Sequence, residues 1–205
     1  MLYDITPPIS ARLAVWPGDT PPSREVLCDL RRGDNITLST LHATVHLGAH
    51  ADAPSHYDTE GQTIDQRPLD LYLGPCQVMR VSAARGARVT AALLPEPVRA
   101  ARVLFATDTF PDPERFNPDF AALDPELVCW LHGQGARLLG IDTPSVDLFD
   151  SKDLPAHAAC RECDLAILEG LVLRDVPAGL YELIALPLKL AGFDASPVRA
   201  VLRQL

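Results

Sequence analysis

Apolar and polar residues alternate along residues 36–47. Thr40, His42, Thr44 and His46 fall on one side of an extended chain, and Leu41, Ala43, Val45 and Leu47 on the other. This period of two predicts a half-buried strand with His46 at its end and a polar face turned toward a pocket. Shorter apolar runs predict strands over residues 2–6, 26–30, 76–82, 103–106, 137–141 and 165–168, and a longer one over residues 181–190, bent at Pro187. Residues 125–134 carry the clearest helix signals: Asp124 as N-cap, Pro125 in the first position and Gly135 past the end. Ser196-Pro197 is a helix start of the same kind and predicts a C-terminal helix over residues 198–205. A helical turn is expected at residues 90–94, a short helix around His157, and a loop from Gly48 to Gln66. Strands alternating with a few helices, without repeat or linker, predict one α/β domain over residues 1–205.

Composition narrows the partners. Hydrophobic residues make up 47% of the chain, enough for a sizeable core, and the formal net charge is -9. Such a chain has no positive field to attract nucleic acid or an anionic membrane, so a small-molecule partner is expected. The N-terminus lacks the basic and apolar segments of a signal peptide, and no apolar run is long enough to span a bilayer. Five scattered cysteines, at 28, 76, 129, 160 and 163, do not form a disulfide framework and fit reduced thiols in a cytoplasm.

The chemistry concentrates in His46-Leu47-Gly48-Ala49-His50-Ala51-Asp52-Ala53-Pro54-Ser55-His56, which holds three of the six histidines and a carboxylate. Imidazole and carboxylate are the ligands of zinc or another borderline divalent metal. His50 and Asp52, two apart in extended chain, point the same way, and His46 completes a three-ligand set with open positions. Pro54 stiffens the chain before His56, which is left as a free imidazole able to move a proton. His42 and His132 lack such company and read as loop residues satisfied by hydrogen bonds. His157, with Cys160 and Cys163 after it, suggests a soft zinc site but falls short of four closed ligands. Trp16, in the turn Trp16-Pro17-Gly18-Asp19, either meets a flat ligand or pins the loop to the core. Glu169, at the end of an apolar strand, either serves a site or meets solvent. No G-x-S-x-G nucleophile elbow is present, which weighs against a serine hydrolase.

The central stretch resembles the H-x-G-T-H-x-D-x-P-x-H signature of the cyclase-like metal-dependent hydrolases, with Ala49 in place of the threonine. The loop at Trp16-Pro17-Gly18-Asp19, the run from Asp142 to Asp147 and the segments around Glu169 and Lys189 are similar to the kynurenine formamidase (arylformamidase) branch. The resemblance implies a swivelling β/β/α fold with a mixed, barrel-like sheet, and two Zn2+ ions per subunit, with manganese as the alternative metal. His46, His50 and Asp52 would hold one ion, His157 would belong to the other, and Asp52 and Glu169 would bridge them. It further implies His56 as the acid/base, Trp16 against the substrate, a homodimer, and hydrolysis of N-formyl-L-kynurenine to L-kynurenine and formate in tryptophan breakdown. The rivals are a cyclic-amide hydrolase acting on a compound such as isatin, and a non-catalytic metal-binding protein.

Overall fold

Apolar runs that show no alternation must be buried on both faces, and these runs form the centre of the fold. A computed structural model describes residues 1–205. Its strands are β1 (Leu2–Asp4), β2 (Ser23–Cys28), β3 (Leu38–His42), β4 (His50–Asp52), β5 (Leu73–Arg80), β6 (Arg88–Val89), β7 (Arg102–Ala106) and β8 (Ala122–Leu123). Helix α1 (Pro125–Gly133), β9 (Leu138–Ile141), helix α2 (Pro155–Glu162), β10 (Ala166–Glu169), β11 (Gly179–Ile184), β12 (Ala195–Pro197) and β13 (Val201–Gln204) follow. Nine strands form one mixed sheet in the order β1-β13-β11-β5-β7-β9-β10-β4-β12. β5, β7, β9 and β10 run parallel, and antiparallel strands flank them on both sides.

The side chains of the parallel strands divide between two cores. Val78, Leu104, Leu138 and Leu168 enter one cluster, and Met79, Val103, Phe105, Leu139 and Ile167 the other. α1 and α2 cover the second face through Leu127, Leu131, Ala156 and Cys160. The first is covered by the sheet itself, which curls so that Tyr181, Leu183 and Leu202 from one flank meet Ala49 and Ala51 from the other. The α/β class is as the residue pattern predicts, and the mixed, barrel-like sheet is as the resemblance implies.

α1 matches its signals: the Asp124 side chain accepts from the Glu126 N–H at 2.9 Å, and Gly135 takes φ +91°. Four expectations fail. The strand predicted over residues 36–47 ends at His42 and belongs to a separate two-stranded ribbon, β2–β3, so His46 sits on the loop that follows. Both sides of that ribbon face solvent, with Leu27, Leu30, Ile36, Leu38 and Leu41 exposed. The predicted loop after Gly48 contains β4. The C-terminal helix is replaced by β12 and β13, because β13 finds a pairing partner on each side, β11 and β1. Ser196 Oγ accepts from Leu188 N and donates to Pro197 O, each at 2.8 Å, so it caps no helix. Residues 185–190 leave the sheet after β11. All five cysteines are free thiols, and no helix is long and apolar enough to cross a membrane.

Two glycines set the spacing around β4. Gly170, just past β10, has φ +65°, and a Cβ there would lie 2.1 Å from Gly48 O. Gly170→Ala is therefore expected to destabilise the protein by about 2 kcal/mol or more, through left-handed backbone strain and a backbone clash. Chemical denaturation checks this, with Gly18→Ala as a control for φ alone, since its Cβ meets nothing.

Candidate metal centre

β4 is fully extended, so His50 and Asp52 project from the same face, as the spacing requires. Register then supplies Glu169, which pairs with His50 across β10–β4. His157 arrives from the first turn of α2. That turn is held by Asp147, whose carboxylate accepts from Ala156 N and from His157 N at 3.0 Å. The sequence-predicted ligands converge. His46 Nδ1 lies 3.0 Å from Asp52 Oδ1, and His50 Nε2 lies 3.5 Å from Asp52 Oδ1 and 3.3 Å from Glu169 Oε2. His157 Nε2 lies 3.4 Å from Asp52 Oδ2 and 3.6 Å from Glu169 Oε1. Each carboxylate thus faces two or more histidines.

The protons on these rings follow from their outer partners. Gly48 O can only accept, so His50 Nδ1 donates to it at 2.8 Å and Nε2 turns a lone pair inward. His157 Nδ1 donates to Asp147 Oδ2 at 2.9 Å, and Arg88 secures the other oxygen of that carboxylate at 2.9 Å. His46 Nε2 donates to Asp194 Oδ2 at 3.1 Å. Fixing one ring nitrogen with an outer acceptor and leaving the other free is how metal-binding histidines are oriented. Glu169 is steadied by Val146 N, at 2.7 Å from Oε1.

The donor set fits a divalent cation. His50 Nε2, His157 Nε2 and both oxygens of Asp52 are buried without a hydrogen-bond partner. Such atoms carry a large desolvation cost unless something pairs with them, and these four face one another. By proximity two groups share Asp52: His50, Asp52 and Glu169 in one, and His46, Asp52 and His56 in the other. Nitrogen and carboxylate oxygen without sulfur suit zinc or manganese. Cys160 is buried in the core under α2 and Cys163 lies 3.9 Å from Cys129, apart from both groups. His42 pairs with Glu25 on the exposed ribbon.

His56 is the least enclosed of the histidines near the carboxylates. Its ring lies 4.2 Å from that of His46, and Nδ1 is 3.5 Å from Asp194 Oδ2. Burial lowers its pKa, so it is neutral and can accept a proton at neutral pH. It opens onto a cavity of about 710 Å3, within the usual range for small-molecule sites, which Trp16 also lines. Trp16 packs on Phe116 and Phe149 at 5.6 and 5.1 Å, so it both pins its loop and forms part of the wall.

Asp194 and Asp147, which orient the rings of His46 and His157, carry no local signal in the sequence. Asp194 is placed by its own backbone, where its carbonyl accepts from Ala53 N at 2.8 Å. Without metal, burial opposes charge on His46 and His157, but the carboxylates beside them win and push the pKa values up to about 9 and about 10. At pH 7 both rings then hold protons that an incoming cation must displace. Zinc uptake by chelator-stripped protein is expected to release protons, and affinity to fall as pH falls. Calorimetry in buffers of different ionisation enthalpy measures the protons released.

The family model described as "Putative cyclase" matches residues 3–148. A solved structure described as a "Potential Metal-Dependent Hydrolase With Cyclase Activity" is 29% identical, with a TM-score of 0.85, covering 100% of this chain and 99% of that one. A "predicted metal-dependent hydrolase" from Bacillus stearothermophilus is also 29% identical, with a TM-score of 0.81 over 98% and 97% of the two chains. Isatin hydrolase A from Labrenzia aggregata shares the fold at 24% identity, with a TM-score of 0.84 over 98% and 93%. The family match takes in most of the chain, including the 46–56 cluster and Asp147, and the chain belongs to the putative cyclase family.

Proposed function

We propose that this chain is a metal-dependent amide hydrolase that cleaves N-formyl-L-kynurenine to L-kynurenine and formate. The observation that carries the reading is the set of three tethered imidazoles aimed at two buried carboxylates, at the foot of a cavity with an indole in its wall. Relatives described as metal-dependent hydrolases support the reaction class. Two zinc ions, which His46, His50, Asp52, His157 and Glu169 would hold, are the cofactor of this reading, manganese the alternative, and the cytoplasm its location.

A divalent cation held by these residues supplies Lewis acidity toward a carbonyl oxygen and toward water. The chain's own residues do the rest. His56, neutral and open to the cavity, takes a proton from the attacking water. An aryl amine leaves poorly as an anion, so His56 returns that proton to the nitrogen as the C–N bond breaks, a role typically worth about 10² to 10⁴ in rate. Water adds to the formyl carbon, and amine and formate leave. Trp16, backed by Phe116 and Phe149, offers an apolar wall for the aromatic ring and limits water around the reacting amide.

Ring opening of a cyclic amide such as isatin is the second reading, favoured by the shared fold of the isatin hydrolases. Rates with N-formyl-L-kynurenine and with isatin, measured with and without chelator and after zinc add-back, separate the two. The first substrate is expected to turn over faster, and only with metal. His56→Ala is expected to lose 10²-fold or more in rate, as the typical value of proton transfer indicates. Retained metal in that variant supports the acid/base role; lost metal would make His56 a ligand.

The partner chain in this reading is a second copy, docked through the β2–β3 ribbon. Val26, Leu27, Leu30, Ile36, Leu38 and Leu41 are exposed there, and a two-stranded ribbon is marginal without cover. These side chains expose on the order of 500 Å2, so reciprocal docking of two ribbons buries on the order of 1,000 Å2 of them in total, the lower end of the range for a specific interface. Light scattering is expected to give twice the chain mass for the native protein and the chain mass for a Leu27→Lys, Leu41→Lys double variant.

A further inference from the structure

Cys160 and Cys163 form a C-x2-C motif that the metal centre leaves unused. Folding separates them. Cys160 is fully buried under α2, and burial pushes its thiol pKa well above the ordinary value. Cys163 caps the C-terminal end of α2, is only partly buried, and turns toward α1 instead. Its thiol donates to Cys129 Sγ at 3.9 Å, and Cys129 is exposed on α1.

The packing of the two helices holds this contact in place. Leu127, Val128 and Leu131 of α1 share one core with Ala156, Ala159 and Cys160 of α2, so neither helix slides without opening it. The end of α2 is fixed as well. Cys163 N donates to Ala159 O at 3.1 Å and Leu165 N to Cys160 O at 2.9 Å, with Asp164 between them at φ +48°. From this separation the sulfurs need to approach by only about 2 Å to bond, within the reach of side-chain rotation. Two thiols alone fall short of the four ligands of a closed zinc site, and the three-donor groups of this chain lie at the metal centre.

We propose that Cys129 and Cys163 are a dithiol modification site, which a small disulfide such as glutathione disulfide converts to a disulfide joining α1 to α2. In the first step the Cys129 thiolate attacks one sulfur of the small disulfide, whose S–S bond breaks. One small thiolate leaves, takes a proton from water, and a mixed disulfide remains on Cys129. Cys163 then gives its proton to solvent and attacks Cys129 Sγ, and the second small thiol leaves in the same way. The two protein thiols lose two electrons and two protons, and the small disulfide gains both. Cys129 attacks first because it is exposed, whereas partial burial and the bond to Cys129 raise the pKa of Cys163. The bridge spans 34 positions of sequence, and closing a loop of that size stabilises the folded state.

Zinc-loaded protein incubated with glutathione disulfide, quenched in acid, alkylated and mapped by mass spectrometry tests the site. A peptide linking Cys129 to Cys163 is expected, with both thiols protected from alkylation and Cys160 unreacted. The thermal midpoint is expected to rise by about 5 °C or more on oxidation, and dithiothreitol to reverse both changes. In Cys163→Ser the first step has no second, so glutathione is expected to stay on Cys129. A persistent glutathione adduct on Cys129 of the unaltered chain would overturn the proposal, because Cys163 would then be out of reach. Alkylation of both thiols undiminished by the oxidant, or a bridge between Cys160 and Cys163, would overturn it too. Loss of zinc from Cys129→Ser or Cys163→Ser would make the pair a soft-metal site and sink the disulfide. Mapping of the unaltered chain decides the matter even where a variant does not fold. None of these measurements depends on which amide the protein cleaves.

Discussion

Two carboxylates buried beside one another, each facing imidazole nitrogens, are the constraint around which this protein is built. Asp52 has no side-chain exposure and Glu169 very little, and they lie on neighbouring strands. Packed this close without compensation they would repel each other and protonate. Here Asp52 instead stays ionised: burial opposes its charge, but the imidazoles of His157, His46 and His50 beside it hold its pKa well below the ordinary carboxylate range. A cation in place of the ring protons does the same with a higher charge, and leaves the imidazoles neutral to act as ligands.

The rest of the fold serves this arrangement by fixing which ring nitrogen faces inward. Each inner histidine is tethered to an acceptor on a different element. His50 uses a backbone carbonyl of its own turn, His157 an aspartate ahead of α2, and His46 an aspartate just before β12. The parallel strands contribute their C-terminal ends. Glu169 terminates β10, and Asp142 and Asp108 follow β9 and β7 into the wall of the large cavity. Placing a ligand site where parallel strands end is a general habit of α/β sheets, because backbone and loops diverge there. Asp142 is enclosed by Thr107 and the Asp108 N–H, so it ties two strand ends together and has no open coordination edge.

The molecule treats its buried charges in three ways. Arg102 is dissolved in carbonyls and locks strands together. The Asp147, Arg88 and His157 chain carries orientation from the surface into the metal centre. Arg67 is held through Nη1, which donates to Gln62 and Asp164, with the Tyr72 hydroxyl beside its other donors. Hydrogen-bond completeness, more than burial, separates structural groups from groups that await a partner.

Much of the site was legible in the chain itself, because its chemistry is local. The spacing of His50 and Asp52 means the same face in any extended segment. The caps of α1 and the apolar runs of the central strands depend on a few neighbouring residues. A resemblance, with no local signal behind it, added His157 and Glu169. The ribbon and the C-terminus misread for one reason: period two and a Ser-Pro start describe what a segment can do alone. Whether residues 36–47 meet a core, or residues 198–205 meet two strand edges, depends on elements distant in sequence. Asp194 and Asp147 belong to the same class. A hydrogen bond between residues 148 apart, such as that of His46 to Asp194, exists only once the sheet has curled. The sequence by itself determined the metal-binding chemistry of the 46–56 cluster; the tertiary structure alone decided which atoms of it face inward.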